Sequence, residues 1–217
     1  MCALVIRLSI IDSPAAAGKD RPNKDLKFPT TITVLKAAYL SEMRAHKHYA
    51  GYCQRSIADG YPNIAFLFAA FAFSEKVHAD NYKRILLSLH AEPESPAIAL
   101  SISDTKTNLI RAAENERVKI TKTYPDFLAQ LQAESNDQAV INCTYSWKSH
   151  QQHRDKIEDI LKYAKLLFGS VAKRIEGMKL DFYVCKICGS TIDESPKISC
   201  VICNYPISYY QKVLRPA

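Results

Sequence analysis

The sequence predicts a mainly α protein, in which a four-helix bundle with one long crossover is followed by a small C-terminal metal-binding β domain. Four long stretches place apolar residues at alternating spacings of three and four, as amphipathic helices do. Only six of the 217 residues are glycine, which disfavours a turn-rich all-β fold. Two Cys-x-x-Cys pairs lie near the C-terminus, in a segment that is richer in Tyr, Ile and Pro.

The first two helices are predicted over about residues 33–59 and 62–89. Asp59 and Gly60 end the first helix, and Pro62 suits the first turn of the second. The core-facing positions of the second helix are almost all apolar, which is typical of a buried helix. We therefore expect this pair to form the centre of the core.

The second half of the bundle follows a long connection, residues 90–104, which contains two prolines and no clear periodicity. The third helix is predicted to begin near Thr105, with Asp104 or Ser103 as its N-cap, and Pro125 should kink or restart it. The fourth is predicted over about residues 137–171. Four helices with one long crossover between the second and third are typical of ferritin-like bundles.

The chain divides, on this basis, into an N-terminal extension (1–30), the bundle (31–172) and the C-terminal domain (178–217). The extension lacks the pattern of a secretory signal, and no run of 18 apolar residues exists, so we expect a cytoplasmic protein without a membrane partner. The net charge of +7 is spread along the chain without a basic stripe. Nucleic acid is therefore not an expected partner.

The cysteine pairs are candidate ligands for one metal ion. Eleven residues separate the pairs, and this spacing can place four sulfurs tetrahedrally around zinc or iron, here from Cys185, Cys188, Cys200 and Cys203. Two disulfide bonds among these four cysteines are the alternative to a metal site. Gly189 and Asn204 follow the pairs, where left-handed backbone would aim amides at sulfur. Of the three remaining cysteines, Cys143 occupies a core-facing helical position.

Three acidic residues occupy helical positions that should be apolar, namely Glu42, Glu75 and Glu116. His78 lies one turn after Glu75, and His150 lies on the core-facing side of the fourth helix. A single such residue could lie at the rim or be hydrogen-bonded in the core. Three buried carboxylates that converge are costly without a cation, and Glu-x-x-His spacing is used by di-iron bundles. The pattern therefore predicts a second metal site.

Several segments resemble the rubrerythrin family: LSEMRAHKHY at 40–49, DGYPNIAFLF at 59–68, SEKVHA at 74–79 and TYPDF at 123–127. The C-terminal motifs YVCKICG at 183–189 and CVICNYP at 200–206 resemble its rubredoxin-like domain. The resemblance implies a di-iron bundle and an Fe(Cys)4 centre that together reduce hydrogen peroxide. It also implies a soluble electron donor and a homodimer, with electrons usually crossing the dimer interface.

Carried over by position, the resemblance implies a set of di-iron ligands and two neighbouring tyrosines. The ligands are Glu42, Glu75, His78, Glu116 and His150, and the tyrosines are Tyr49 and Tyr124. Two family carboxylates are replaced, by Lys119 and Trp147. Neither residue is expected to ligate, since a lysine is protonated and an indole has no free lone pair.

The two replacements affect how many ions the bundle can hold. Three carboxylates and a charged Lys119 give a net charge of −2, which balances one divalent ion; alternatively, Lys119 points outward. His46 could supply a substitute ligand, whereas His48 and His153 are expected to be surface or core residues.

Three hypotheses follow. The first is a peroxide-reducing iron oxidoreductase with one Fe(Cys)4 centre and one or two further irons in the bundle. The second is a degenerate member whose Fe(Cys)4 domain transfers electrons while the bundle holds one metal or none. The third is a zinc-ribbon binding or scaffold protein without redox activity.

Overall fold

The computed structural model describes residues 27–94, 97–162 and 164–217. The predicted N-terminal extension, including Cys2, lies almost entirely outside them. The helices are α1 Pro29–Ala58, α2 Pro62–Ser88, α3 Thr105–Val118, α4 Tyr124–Gln132, α5 Asp137–Leu161 and α6 Ala164–Glu176. The strands are β1 Tyr183–Cys185, β2 Thr191–Ile192 and β3 Tyr210–Lys212. None of the helices in these ranges is both long and apolar enough to cross a bilayer.

Helices α1 and α2 form an antiparallel pair at the centre of the bundle. Their connection turns at Gly60, whose φ of +82° suits glycine, and α2 begins with Pro62 at its first turn. The apolar face of α2 is fully buried at Ile64, Phe68 and Phe71. Burial of each such side chain stabilises the fold by about 1.5–3 kcal/mol, so this face anchors the core.

The third helical stretch changes geometry just before Pro125, as predicted. Asp104 caps α3 by accepting a hydrogen bond from the Thr107 amide at 3.0 Å. A π-helical segment, Lys119–Thr123, then connects α3 to α4, and the Tyr124 amide donates to the Lys119 carbonyl. Because Pro125 lacks an amide hydrogen and its ring would clash with the preceding turn, the wider π turn accommodates it.

The fourth predicted helix is divided, which the sequence analysis did not anticipate. Helix α5 ends at Leu161, and α6 covers Ala164–Glu176. The end of α6 packs on the N-terminus of α2, where Glu176 accepts the Asn63 amide at 2.7 Å and the Ile64 amide at 3.2 Å. Since α2 has no side-chain N-cap of its own, Glu176 supplies acceptors for its unpaired amides. The apolar pattern continues through this region and gave no sign of the division.

The C-terminal segment forms the predicted small β domain. Its sheet has the order β2-β1-β3 with both pairings antiparallel. Gly189 has φ +77° and Asn204 has φ +60°, so both left-handed residues occur where the cysteine pairs required them. The Gly189 amide donates to the Cys185 carbonyl, and the Asn204 amide donates to the Cys200 carbonyl. These hydrogen bonds close the two cysteine loops.

Candidate metal centres

The four C-terminal cysteines come together in the β domain. Their sulfurs all lie within 4.8 Å of one another, with 3.7 Å between Cys185 and Cys203 and 3.4 Å between Cys188 and Cys200. None of the cysteines in the described residues forms a disulfide. Burial raises the pKa of Cys203 to about 12, so a thiolate there requires a nearby cation. The donor set therefore fits one tetrahedral metal ion.

The bundle brings together the five predicted acidic and histidine side chains. Glu42 comes from α1, Glu75 and His78 from α2, Glu116 from α3 and His150 from α5. Each is at most 1% exposed. Their positions follow from helical periodicity, because each lies where its helix faces the bundle axis. They form a buried cluster whose charge must be balanced from within.

Lys119 points into this cluster, so the alternative of an outward side chain is wrong. Its Nζ lies 2.9 Å from Glu42 Oε2, 3.8 Å from Glu75 Oε2 and 3.4 Å from His150 Nε2. Burial alone would lower the pKa of Lys119, but the surrounding carboxylates outweigh it and raise the pKa above its usual value. An ammonium ion thus lies among atoms that could otherwise bind a metal.

Trp147 does not take part in the cluster through its indole nitrogen. That nitrogen donates to the Ile120 carbonyl at 2.9 Å, and the ring packs in the part of the core that contains Tyr124. Ile120 belongs to the π-helical segment, directly after Lys119. The tryptophan therefore tethers the segment that carries the buried lysine.

Both predicted tyrosines contact the cluster. Tyr49 donates its hydroxyl hydrogen to Glu116 Oε1, and Tyr124 donates to Glu42 Oε1 at 2.6 Å. Burial and the neighbouring carboxylates raise the pKa of both phenols, which are therefore neutral hydrogen-bond donors. Tyr82, which the sequence analysis did not single out, lies 3.3 Å from the Tyr124 hydroxyl and extends this network.

His153 also belongs to the cluster, contrary to the expectation of an ordinary surface or core residue. It is fully buried, and its Nδ1 lies 3.4 Å from Glu75 Oε1 and 3.8 Å from Glu116 Oε1. The available signal was its position one helical turn after His150, on the same face of α5. His46, the suggested substitute, instead places Nδ1 2.8 Å from the Ala72 carbonyl.

The bundle residues form two overlapping sets of possible metal ligands, each with donor atoms within 4.8 Å of one another. The first set is Glu42, Glu75, His78 and His150. The second set is Glu75, Glu116, His150 and His153. The ammonium of Lys119 lies among atoms of the first set, so the residues fit a pair of ions less well than a single ion.

The β domain packs directly on the bundle of its own chain. His78 Nε2 lies 3.1 Å from the Cys188 carbonyl, and because a carbonyl only accepts, Nε2 carries the hydrogen. Ser74 donates to the Gly189 carbonyl at 2.6 Å, and Asn81 donates to the Ile187 carbonyl at 2.8 Å. A single hydrogen bond therefore connects the backbone of one cysteine to a histidine of the bundle cluster.

Gly189 makes this close approach possible. A Cβ atom at this position would lie 2.2 Å from His78 Nε2 and 2.8 Å from Ser74 Oγ, distances that real Cβ atoms essentially never show. Sequence reasoning had assigned Gly189 only to the cysteine loop. Its second role depends on how the β domain packs against α2, which the local sequence does not encode.

The comparisons with known proteins agree with this architecture. The family model described as Rubrerythrin matches residues 33–161. Rubrerythrin-2 of Clostridium acetobutylicum is 28% identical over 188 residues, which cover 86% of this chain and 98% of the relative. Nigerythrin of Nitratidesulfovibrio vulgaris is 28% identical over 179 residues, which cover 82% of this chain and 83% of the relative.

Solved structures show the same fold. A structure of fully reduced, all-ferrous nigerythrin has a TM-score of 0.70 at 25% identity, covering 84% of this chain and 86% of that one. The bacterioferritin of Desulfovibrio desulfuricans has a TM-score of 0.64 at 20% identity and covers 70% of this chain. The match covers 90% of the bacterioferritin chain, and at this identity it shows a shared fold only.

Proposed function

Because the chain belongs to the rubrerythrin family, and because a hydrogen bond links its two candidate metal centres, we propose that it is an iron oxidoreductase that reduces hydrogen peroxide. The overall reaction takes one peroxide, two electrons and two protons to two water molecules. A small soluble electron-carrier protein is the proposed source of the electrons. The contact between the Cys188 carbonyl and His78 is the observation that carries the proposal.

The two centres have different roles in this proposal. With iron bound, the four-cysteine site supplies single electrons, and the bundle site polarises and reduces the O–O bond. The described contacts give electrons a route of two steps within one chain, from the backbone of Cys188 to the His78 ring and from His78 Nδ1 to Glu75 Oε2, 3.1 Å away. A homodimer remains part of the proposal on the strength of the family alone.

A surface cleft of about 320 Å³ offers peroxide a path to the cluster. It lies between α1 and the α3–π segment, and its lining includes Tyr49, Glu116 and Lys119. The Lys119 ammonium has three hydrogens and donates one of them to Glu42, so it has donors left that would hold and orient peroxide oxygens. Burial of the surrounding carboxylates limits the water that reaches them.

Anaerobic mixing of the reduced, iron-loaded protein with peroxide tests this function. The absorbance of the Fe(Cys)4 centre should bleach on reduction and return when peroxide is added. We expect His78→Leu, compared with the wild type at equal iron content, to slow that return, because it removes the link to Cys188. His90→Leu, at an exposed histidine, is the matched control. A chromophore that does not respond to peroxide would refute the proposal.

A second candidate function is favoured by the position of Lys119. In that case the β domain still transfers electrons to an external acceptor, but the bundle holds one metal or none and does not reduce peroxide. The same experiment separates the two, since this candidate predicts that peroxide leaves the chromophore bleached.

A further inference from the structure

Two buried atoms of the bundle face each other without a hydrogen-bond partner. They are Glu75 Oε1 and His153 Nδ1, and 3.4 Å separates them. In the part of the chain that the structure describes, only one other buried side-chain polar atom lacks a partner. A buried acceptor without a partner is destabilising, so two that face each other call for a shared cation.

The hydrogen bonds of the β domain set the tautomer of His153. Thr191 Oγ1 lies 3.1 Å from the Gly189 carbonyl, which can only accept, so the single hydroxyl hydrogen of Thr191 is used there. The hydroxyl must then accept from His153 Nε2, 3.3 Å away. Nε2 carries the hydrogen, and Nδ1 directs a lone pair toward Glu75. A metal-binding histidine is usually held in this way by a partner on its other nitrogen.

Glu116 and His150 complete a four-residue donor set around this point. His150 Nδ1 lies 2.7 Å from Glu116 Oε2 and 3.6 Å from Glu75 Oε1. Tyr49 hydrogen-bonds to the same Glu116 carboxylate and holds it in place. A metal ion here would replace the hydrogen that His150 Nδ1 shares with Glu116.

The two halves of the cluster differ in net charge. The ammonium of Lys119 balances Glu42, 2.9 Å away, and leaves Glu75 and Glu116 with a combined charge of −2. One divalent ion neutralises that pair. Two imidazoles and two carboxylates are ligands typical of non-haem iron(II) and related first-row metals.

We infer that the bundle binds one divalent transition-metal ion, on the side of the cluster away from Lys119, and not a pair of ions. Its ligands are Glu75, Glu116, His150 and His153. His153 is outside the set that the family resemblance implied, and the Lys119 ammonium takes the place of a second ion beside Glu42. The inference locates the metal of the proposed function, but it does not require peroxide to be the oxidant.

Metal analysis of the iron-loaded full chain tests the inference. We expect two irons per chain in the wild type, one in the four-cysteine site and one in the bundle. His153→Gln should lose one of them and keep the Fe(Cys)4 absorbance, which also reports that the β domain is folded. The control His90→Gln should keep two. Three irons in the wild type, one iron in the wild type, or two in His153→Gln would each overturn the inference.

A separate variant tests the role of the Lys119 ammonium. Replacing Lys119→Glu removes the ammonium and adds a carboxylate at the cluster. We expect a third iron to bind, and an unchanged count would overturn the role given to the ammonium.

Anomalous diffraction at the iron edge covers the case in which His153→Gln does not fold. A crystal of the wild type should show one bundle peak, bonded to His153 Nδ1, and a peak bonded to Glu42 instead would overturn the inference. These measurements are independent of turnover. Two irons without a response to peroxide would refute the proposed function and leave the site intact.

Discussion

Replacing Gly189 with alanine should separate the β domain from the bundle. The new Cβ would lie 2.2 Å from His78 Nε2 and 2.7 Å from its Cδ2, and His78 is only 1% exposed, so it cannot swing into solvent. The left-handed backbone costs an alanine about 1–2 kcal/mol. The rearrangement needed to avoid the steric overlap destabilises the packed state by about a further 1–3 kcal/mol. The sum, about 2–5 kcal/mol, should be enough to displace the loop from α2.

Gly60→Ala is a matched control for this variant. Gly60 has nearly the same backbone angle, φ +82° against +77°, but a Cβ there would meet nothing within 4 Å. Gly60→Ala should therefore lose the stability that the left-handed backbone costs an alanine, without the further loss from steric overlap. The difference between the two variants isolates the contact with His78.

Two assays follow the Gly189 variant. Urea unfolding of the iron-loaded proteins, monitored by circular dichroism, should place Gly189→Ala below Gly60→Ala in stability. Stopped-flow absorbance should show that peroxide restores the Fe(Cys)4 colour more slowly in Gly189→Ala, because the bond from Cys188 to His78 is lengthened or lost. If the two variants have equal stability and equal rates, the close packing of the β domain on α2 is not what links the centres.

Other predictions concern the cluster and the core. In the metal-free protein, Lys119→Met should lower the free energy of unfolding by about 3–5 kcal/mol, because Glu42 loses its buried partner. The control Lys122→Met, at an exposed lysine, should change that free energy little. Equal effects of the two variants would contradict the pairing of Lys119 with Glu42. Tyr124→Phe should cost about 1–3 kcal/mol in urea unfolding, since it removes a hydrogen bond to the same carboxylate. Burial raises the pKa of Cys143 to about 12, so iodoacetamide at pH 8 should label it only after unfolding, as mass spectrometry can check.

Periodicity in the sequence predicted much of the bundle and its cluster. Glu42, Glu75 and Glu116 interrupt apolar stripes, and a helix projects every such position toward the same axis, so their convergence could be predicted without a structure. The cysteine pairs were equally informative, because two short loops with left-handed residues leave few ways to arrange four sulfurs.

Other features depend on contacts that periodicity does not encode. The direction of Lys119 depends on a π turn, in which a local change of winding alters where each side chain points. His153 joins the cluster because Thr191, from a separate domain, holds its ring. The end of α6 is positioned by Glu176, which accepts the Asn63 amide at the start of α2. The positions of His153 and α6 depend on packing between segments that are far apart in the chain.

The central claim is that electrons from the four-cysteine centre and from one bundle metal together reduce peroxide. An anaerobic peroxide titration of the fully reduced, iron-loaded chain tests it most directly, because electrons can be counted. Two irons supply one electron each and one peroxide accepts two, so the Fe(Cys)4 colour should return completely at one peroxide per chain. Full recovery at one and a half peroxides would indicate three irons. No recovery would contradict the account altogether.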